Sequence, residues 1–299
     1  EKSNMNNILR SEEKAIFALR TLYQQYGYMP FKMSKFEEYD LYAKNKNFLN
    51  NEGIITLTDL HGRLLALKPD VTLSIVKNTA NDTDGCVKVY YNESVFRSSR
   101  STHDIVENTQ IGLEHIGIMD IYSQAEVIAL ACKTFEKIGR KYLMDISHIG
   151  FVSGLVDAAT DDDVVKRKMI ELISRKNAHE LKELCAENSV GDAITQKLVL
   201  LLSIYGDFKT ASQKAKELIV NRQMQEAMDE IESIYSTASM LCDCSNINLV
   251  FSIVNAMSYY NSIIFQGYIE GVPDGVLSGG RYDSLIEKMG RNCGAIGFG

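Results

Sequence analysis

One short segment places an amide and a carboxylate at alternating positions. Residues 109–115 have the sequence Thr-Gln-Ile-Gly-Leu-Glu-His. If this segment is a β-strand, Gln110, Gly112 and Glu114 lie on one face, because successive side chains point to opposite faces. A strand with one solvent-exposed face would show the same alternation. Glycine within a strand often marks the close approach of another group, so Gly112 favours a ligand-binding face.

Two other segments carry polar residues at the ends of predicted elements. Residues 68–72, Lys-Pro-Asp-Val-Thr, follow a predicted strand, and Asp70 and Thr72 are suited to cap the short helix after it. Residues 278–283, Ser-Gly-Gly-Arg-Tyr-Asp, place two glycines before a helix, where backbone amides bind anions. Taken singly, the first segment is explained by a helix cap and the second by a turn.

The spacing of apolar residues predicts the elements that must position these groups. Helices are predicted over residues 6–26, 73–77, 123–141 and 282–289. Strands are predicted over residues 53–59, 63–68, 87–91, 110–116, 249–254, 263–268 and 295–299. The polar, serine-rich residues 94–108 predict a loop.

The pattern changes between residues 153 and 240. Charged helical patterns follow one another there, over residues 164–175, 179–187, 193–202, 209–220 and 223–240, without a clear strand. The sequence therefore predicts one framework domain, residues 1–152 with 241–299, and an all-helical insertion domain, residues 153–240.

Composition excludes several classes of protein. The formal net charge of −7 argues against a chain that coats nucleic acid, and no nucleic-acid ligand is expected. No apolar run approaches 20 residues, so no membrane association is expected. The six cysteines are predicted to be free thiols in a reducing cytoplasm, since Cys242-x-Cys244 without a second ligand pair is a poor zinc signal. No metal and no cofactor are predicted.

Together and in this order, the motifs resemble those of histidyl-tRNA synthetases and their relatives. The synthetase sequence Leu-Arg-Pro-Glu-Gly-Thr is similar to residues 67–72, and its motif 2 arginine resembles Arg97 after Phe96. The synthetase strand His-Gln-Ile-Gly-Val-Glu resembles residues 109–114. A tyrosine pair, the sequence Gly-Gly-Arg-Tyr-Asp and the start of motif 3 are matched by residues 259–260, 279–283 and 295–299.

This resemblance implies a fold and a ligand. The fold is α+β: a class II aminoacyl-tRNA synthetase-like antiparallel sheet flanked by helices, with an all-helical insertion. The ligand is L-histidine, whose ammonium group needs acceptors and whose imidazole nitrogens differ in donor and acceptor character. Asp70, one methylene shorter than the family's glutamate, would bind the ammonium group. The implied histidine-binding residues are Asp70, Thr72, Gln110, Glu114, Tyr259 and Tyr260.

The groups that activate histidine in the synthetases are replaced. Ser99 stands where the family has a motif 2 glutamate, and Asn255 stands where it has the arginine that stabilises adenylate formation. A neutral amide does not replace a bidentate cation at a phosphate. Adenylation is therefore not expected, and no catalytic residue is predicted, although Arg97, Arg100 and Arg281 are candidate anion-binding residues.

Histidine recognition without activation resembles the ATP phosphoribosyltransferase regulatory subunits. That resemblance implies a cytoplasmic, non-catalytic protein of histidine biosynthesis that regulates the short-form catalytic subunit. It also implies a homodimer, formed through about residues 26–42, within a larger hetero-oligomer. Two alternatives are a divergent histidyl-tRNA synthetase and a scaffold whose pocket residues are relics.

Overall fold

The computed structural model describes residues 10–45, 53–79, 85–98, 104–254 and 259–299. The chain forms two compact units, one of residues 1–118 with 284–299 and the other of residues 119–283. Ser99, Arg100 and Asn255 lie outside the described residues. Among the helices that the structure describes, none combines the length and apolar composition that a membrane span requires.

The first unit contains helices beside two sheets. Its helices are α1 (Ser11–Gln25), α2 (Tyr39–Lys44) and α3 (Thr72–Asn78), and most of α11 (Asp283–Lys288) also belongs to it. Its strands are β1 (Met29–Pro30), β2 (Phe36–Glu38), β3 (Thr56–Thr58), β4 (Leu64–Leu67), β5 (Val87–Ser98), β6 (Ile105–Gly117) and β12 (Gly294–Phe298). One sheet has the order β1-β5-β6-β12 and the other the order β2-β4-β3. Except for the parallel β1–β5 pair, the pairings are antiparallel.

Strands β5 and β6 form a long hairpin that the sequence did not predict. The expected loop over residues 94–108 is wrong at both ends, because Ser94 pairs with Thr109 and Ser98 pairs with Ile105. Residues 99–103 lie outside the described range. The pairing is held by backbone hydrogen bonds, and the exposed end of β6 carries no alternation of apolar residues to reveal it. The polar composition of residues 94–108 therefore indicates a loop where the structure has the ends of two strands.

Helix α1 packs on the sheet of the first unit through an aromatic cluster. Tyr23 is fully buried, with its ring centroid 5.9 Å from that of Tyr90 and 6.2 Å from that of Phe298. The predicted helix over residues 6–26 is confirmed from Ser11 onwards, while residues 1–9 lie outside the described range. This packing fixes β5 and β12 on either side of β6, which carries Gln110 and Glu114.

The second unit has a sheet of order β11-β10-β7-β9-β8. These strands are β7 (Tyr142–His148), β8 (Tyr205–Asp207), β9 (Ile247–Val250), β10 (Ile263–Ile269) and β11 (Leu277–Arg281). Helix α4 (Ile121–Ile138) begins at Asp120, whose carboxylate accepts from the Ser123 amide, and ends at the left-handed Gly139. Most of its side chains are buried, as expected for a helix within a core.

Helices dominate residues 149–238, and the five helices predicted between residues 164 and 240 are confirmed to within a few residues. The helix over residues 149–157 was not predicted. The helices are α5 (Ile149–Asp157), α6 (Asp163–Ser174), α7 (Ala178–Glu187), α8 (Asp192–Leu201), α9 (Phe208–Lys216) and α10 (Arg222–Ala238). Side chains of Asp162, Asn177 and Asn221 accept from amides in the first turns of α6, α7 and α10. The short strand β8 is a difference, because the prediction contained no strand here. The proposed domain bounds at residues 153 and 240 stay a prediction.

Candidate functional site

A buried hydrogen bond joins two of the predicted site residues in the first unit. The Thr72 hydroxyl, in the first turn of α3, donates to Glu114 Oε1 on β6 at 2.7 Å. Both residues are buried, and Gly297 on β12 lies opposite Glu114. A Cβ atom on Gly297 would collide with the Glu114 carboxylate. Glycine is therefore needed at this position to leave space for a carboxylate inside the sheet.

Gln110 lies on the same strand face as Glu114, and a tyrosine fills the space between them. Tyr91 pairs with Gly112 across β5 and β6, and a Cβ atom on Gly112 would meet its phenol. The Tyr91 hydroxyl accepts from Gln110 Nε2 at 3.4 Å and is 3.4 Å from the carbonyl oxygen of Phe298. The close approach predicted at Gly112 is thus made by Tyr91. The prediction that the strand face of Gln110 and Glu114 binds a ligand stays a prediction.

Asp70 lies in the turn between β4 and α3. Its Oδ1 accepts from the Leu73 amide at 2.9 Å, so the predicted helix-capping bond is present. The Asp70 residue as a whole is half-buried, and its carboxyl group is surrounded by protein. This desolvation raises the pKa of Asp70, although the Leu73 amide and the charge of Arg97 act in the opposite direction. A perturbed carboxyl group beside other polar groups is a typical feature of a functional site.

Arg97 is the predicted anion-binding residue that the structure places near Asp70. Its Nε is 3.4 Å from the carbonyl oxygen of Pro69, one residue before Asp70. Arg97, Glu93 and Tyr91 lie on one face of β5, because alternate residues of a strand share a face. The structure therefore brings Asp70, Thr72, Gln110, Glu114 and Arg97 into one region of the first unit.

Sequence analysis missed an ion pair in this region. Lys68 Nζ lies 2.9 Å from Glu93 Oε2, and the Lys68 side chain is fully buried. Glu93 pairs with Gln110 across β5 and β6, which places its carboxylate on the same face as Gln110 and Glu114. In the sequence, Lys68 is only the first residue of the motif at residues 68–72, and Glu93 lies beyond the end of the strand predicted over residues 87–91. A correct prediction of the hairpin would have indicated Glu93.

The second unit contains the other predicted histidine-binding residues. The rings of Tyr259 and Tyr260 meet edge to face, with centroids 4.7 Å apart. The Tyr259 ring also lies 5.6 Å from that of Tyr282. A Cβ atom on Gly280 would come within 2.6 Å of Tyr260 Cδ1, so the Gly-Gly sequence permits this tyrosine to pack against the backbone of β11.

Arg281, the other candidate anion-binding residue of the described chain, contacts two carboxylates. Its Nη2 lies 2.7 Å from Asp283 Oδ2, and its Nη1 lies 3.2 Å from Glu230 Oε1. These contacts occupy both sides of the guanidinium group, which reduces its availability for an external anion. Its proposed role in anion binding stays a prediction, as do the roles of Arg97 and of Arg100, which lies outside the described residues.

Comparison with known proteins confirms the predicted fold class, that of a class II aminoacyl-tRNA synthetase-like protein. The family model for histidyl-tRNA synthetase matches residues 7–299. A solved ATP phosphoribosyltransferase regulatory subunit/histidyl-tRNA synthetase from Bacillus halodurans is similar over 96% of this chain and 76% of that chain, with a TM-score of 0.87 and 24% identity. The ATP phosphoribosyl transferase (HisG:HisZ) complex from Thermotoga maritima is similar over 95% of both chains, with a TM-score of 0.75 and 18% identity.

Curated relatives define the group within this class. The ATP phosphoribosyltransferase regulatory subunit of Clostridium kluyveri is 32% identical over 287 residues, which are 94% of this chain and 73% of that protein. The regulatory subunit of Oceanobacillus iheyensis is 28% identical over 283 residues, 94% of this chain and 69% of that protein. The chain belongs to the histidyl-tRNA synthetase family and, within it, to the ATP phosphoribosyltransferase regulatory subunits.

Proposed function

We propose that this chain is a non-catalytic subunit of ATP phosphoribosyltransferase that regulates the short-form catalytic subunit in histidine biosynthesis. The observation that carries the proposal is its identity of 32% over 94% of its length to a regulatory subunit. A protein of this role works where the catalytic subunit and its nucleotide substrate are, and we propose the cytoplasm as its location. The divergent-synthetase alternative is not favoured, because the curated relatives compared above are regulatory subunits.

L-histidine is the proposed ligand of the polar region of the first unit, which is formed by Asp70, Thr72, Gln110, Glu114 and Arg97. Asp70 offers a carboxylate and Gln110 an amide oxygen, which suit an ammonium group. Glu114, held by the Thr72 hydroxyl at 2.7 Å, offers a carboxylate to an imidazole N–H. The resemblance adds Tyr259 and Tyr260 to this set. These residue types match the charge and hydrogen-bonding groups of histidine.

The sequence supports binding without activation. Asn255 and Ser99 stand at positions where the synthetases carry an arginine and a glutamate. Removing one group that stabilises transition-state charge typically reduces a rate by about 100-fold or more. The proposed protein therefore recognises histidine but leaves phosphoribosyl transfer to the catalytic subunit.

Regulation in this proposal is a linkage between two binding events. Histidine lowers the activity of the complex if it binds the inhibited assembly more tightly than the active one, and the coupling is reciprocal. We propose a homodimer, formed through about residues 26–42, within a hetero-oligomer containing the catalytic subunit. The helices of the proposed insertion domain, residues 153–240, are a candidate surface for that partner.

Reconstitution with a short-form catalytic subunit tests the proposal. The rate of phosphoribosyl-ATP formation from ATP and phosphoribosyl pyrophosphate is measured with and without this chain, and then with added L-histidine. We expect activation by the chain and inhibition by histidine. A folded chain that neither binds the catalytic subunit nor changes its rate would contradict the proposal, and histidine-dependent ATP–pyrophosphate exchange would favour the synthetase alternative.

A further inference from the structure

A polar network in the second unit centres on Glu230 of helix α10. Its Oε1 accepts from Gln124 Nε2 at 3.1 Å and from Arg281 Nη1 at 3.2 Å. Its Oε2 lies 2.9 Å from Nε2 of the buried His148. Burial opposes ionisation of Glu230, but the bond from His148, with those from Gln124 and Arg281, outweighs it and lowers the pKa to about 2.

The His148 ring has a defined proton position in this network. The Gly150 amide donates to His148 Nδ1 at 3.1 Å, so that nitrogen carries a lone pair. The proton of the neutral ring is therefore on Nε2, which donates to Glu230. The Ser262 hydroxyl lies 3.2 Å from the same Nε2, and the Ser262 carbonyl accepts from the Ile149 amide at 2.9 Å.

Arg281 extends the network to the residues that follow the tyrosine pair. Its carbonyl accepts from the Asn261 amide at 3.0 Å, and its guanidinium contacts Asp283. The Asp283 amide in turn donates to Asn261 Oδ1 at 2.8 Å. Arg281 thus holds Asn261, and His148 with the adjacent Ile149 amide holds Ser262. These two held residues directly follow Tyr260.

We propose that Glu230 is a positioning residue for the tyrosine segment, residues 259–262. It acts through His148 and Arg281, and it connects helix α10 to the two tyrosines assigned to histidine. The part of this inference that concerns histidine rests on the proposed function.

A carboxylate suits residue 230 because the groups that contact its two oxygens, Gln124 Nε2, Arg281 Nη1 and His148 Nε2, are donors. A glutamine side chain has one oxygen and one NH₂ group, so it accepts on one side only. If its oxygen faces Gln124 and Arg281, its NH₂ meets the N–H of His148. That histidine cannot change tautomer without losing its bond from Gly150. Glu230→Gln therefore breaks the network at nearly constant side-chain volume.

Glu232→Gln is the matched control. Glu232 lies on the same helix, has a similar side-chain exposure of 29% against 26% for Glu230, and contacts Lys216 Nζ at 2.7 Å. Both variants remove one carboxylate from α10. Glu230→Asp is the conservative variant, since it keeps the acceptors on a shorter side chain.

The full chain is studied by hydrogen–deuterium exchange over residues 259–263 and 277–283, and by calorimetric titration of L-histidine with its catalytic subunit bound. We expect Glu230→Gln to speed exchange in both segments at least tenfold and to weaken histidine binding at least tenfold. Glu232→Gln should match the wild type, and Glu230→Asp should recover part of the loss.

Exchange and affinity within twofold of the Glu232→Gln values would overturn the positioning role. Exchange that is faster by the same factor throughout the second unit, with no excess at residues 259–263 and 277–283, would also overturn it, because it would indicate general destabilisation alone. If the wild type binds no histidine, the histidine part of the proposed function fails. The positioning role is then decided by exchange alone: selective acceleration at residues 259–263 supports it, and unchanged exchange overturns it.

Discussion

The polar region of the first unit and the Glu230 network of the second unit differ in what their charges face. In the first unit, desolvation raises the pKa of Asp70, a half-buried residue at a turn. In the second unit, donors from His148, Gln124 and Arg281 lower the pKa of Glu230 to about 2. A carboxyl group whose pKa is raised by burial is a candidate for binding an external cation, whereas a carboxylate held by several donors suits a structural role.

The two regions also differ in how their residues are distributed along the chain. The first draws mainly on residues 68–114, where a strand, a turn and a hairpin carry all the polar groups. The second combines side chains from α4, β7, α10 and β11, which are separated by long stretches of sequence. The polar region of the first unit can thus be predicted from compact motifs, while the residues of the Glu230 network are dispersed along the chain.

The largest expected effect tests the buried ion pair of the first unit. Lys68→Met removes the cation and leaves Glu93 charged in a site where only 10% of its side chain is exposed. We expect a loss of about 3–5 kcal/mol in the free energy of unfolding, measured by urea denaturation. The double variant Lys68→Met/Glu93→Leu should regain most of it, since no unpaired charge remains. Equal stability of Lys68→Met and wild type would contradict a structural role for the pair.

The next effect concerns ligand binding in the same region. Glu114→Gln replaces a buried carboxyl acceptor with an amide, while Thr72 and the proposed imidazole both present donors. We expect histidine affinity to fall by about 2–4 kcal/mol, which is roughly 30- to 1,000-fold. Calorimetric titration measures the change, and Glu107→Gln, at an exposed position of the same strand, is the control. An unchanged affinity would remove Glu114 from the proposed site.

A smaller effect is expected for acid stability in the second unit. The folded pKa of Glu230 lies below the ordinary value near 4.3. The stabilisation of the folded protein by ionised Glu230 is therefore fully present above pH 4–5 and is lost as pH falls towards about 2. We expect Glu230→Gln to lower the free energy of unfolding by about 1–3 kcal/mol at pH 7, with a difference that shrinks on acidification.

Denaturation curves for Glu230→Gln at several pH values provide this measurement. Glu232→Gln should lose less than about 1 kcal/mol, because its partner Lys216 is half exposed. A difference between Glu230→Gln and wild type that stays constant from pH 7 to pH 2 would show that ionisation of Glu230 does not contribute.

The smallest effect contrasts stability with binding at Asp70. Burial raises the pKa of Asp70 in the folded protein. Ionisation of Asp70 therefore destabilises the folded protein as pH rises through that pKa. Asp70→Asn keeps an oxygen for the Leu73 amide and removes the charge. At pH 7 we expect the free energy of unfolding to rise by up to about 1 kcal/mol, while histidine affinity falls roughly tenfold. If Asp70→Asn is less stable than the wild type but binds histidine normally, Asp70 has a structural role and not a binding role.

Much of the fold followed from local patterns in the sequence. Helical spacing predicted the helices between residues 163 and 238 to within a few residues, except that the last residues of the predicted helix over 209–220 lie beyond the end of α9. The motifs likewise predicted the strand that carries Gln110 and Glu114 and the short helix that begins at Thr72. These features depend on neighbours within a few positions, and the residue types there agree with the observed conformation.

The hairpin of β5 and β6, the filling of Gly112 by Tyr91 and the pairing of Lys68 with Glu93 required the tertiary structure. Each depends on strand register, which polar residues in an exposed hairpin do not specify. The sequence by itself determined the family, the class of fold and the chemical groups offered to a ligand. Only the tertiary structure decided which carboxylates are satisfied internally, because Glu230 meets its donors through elements that are distant in the chain.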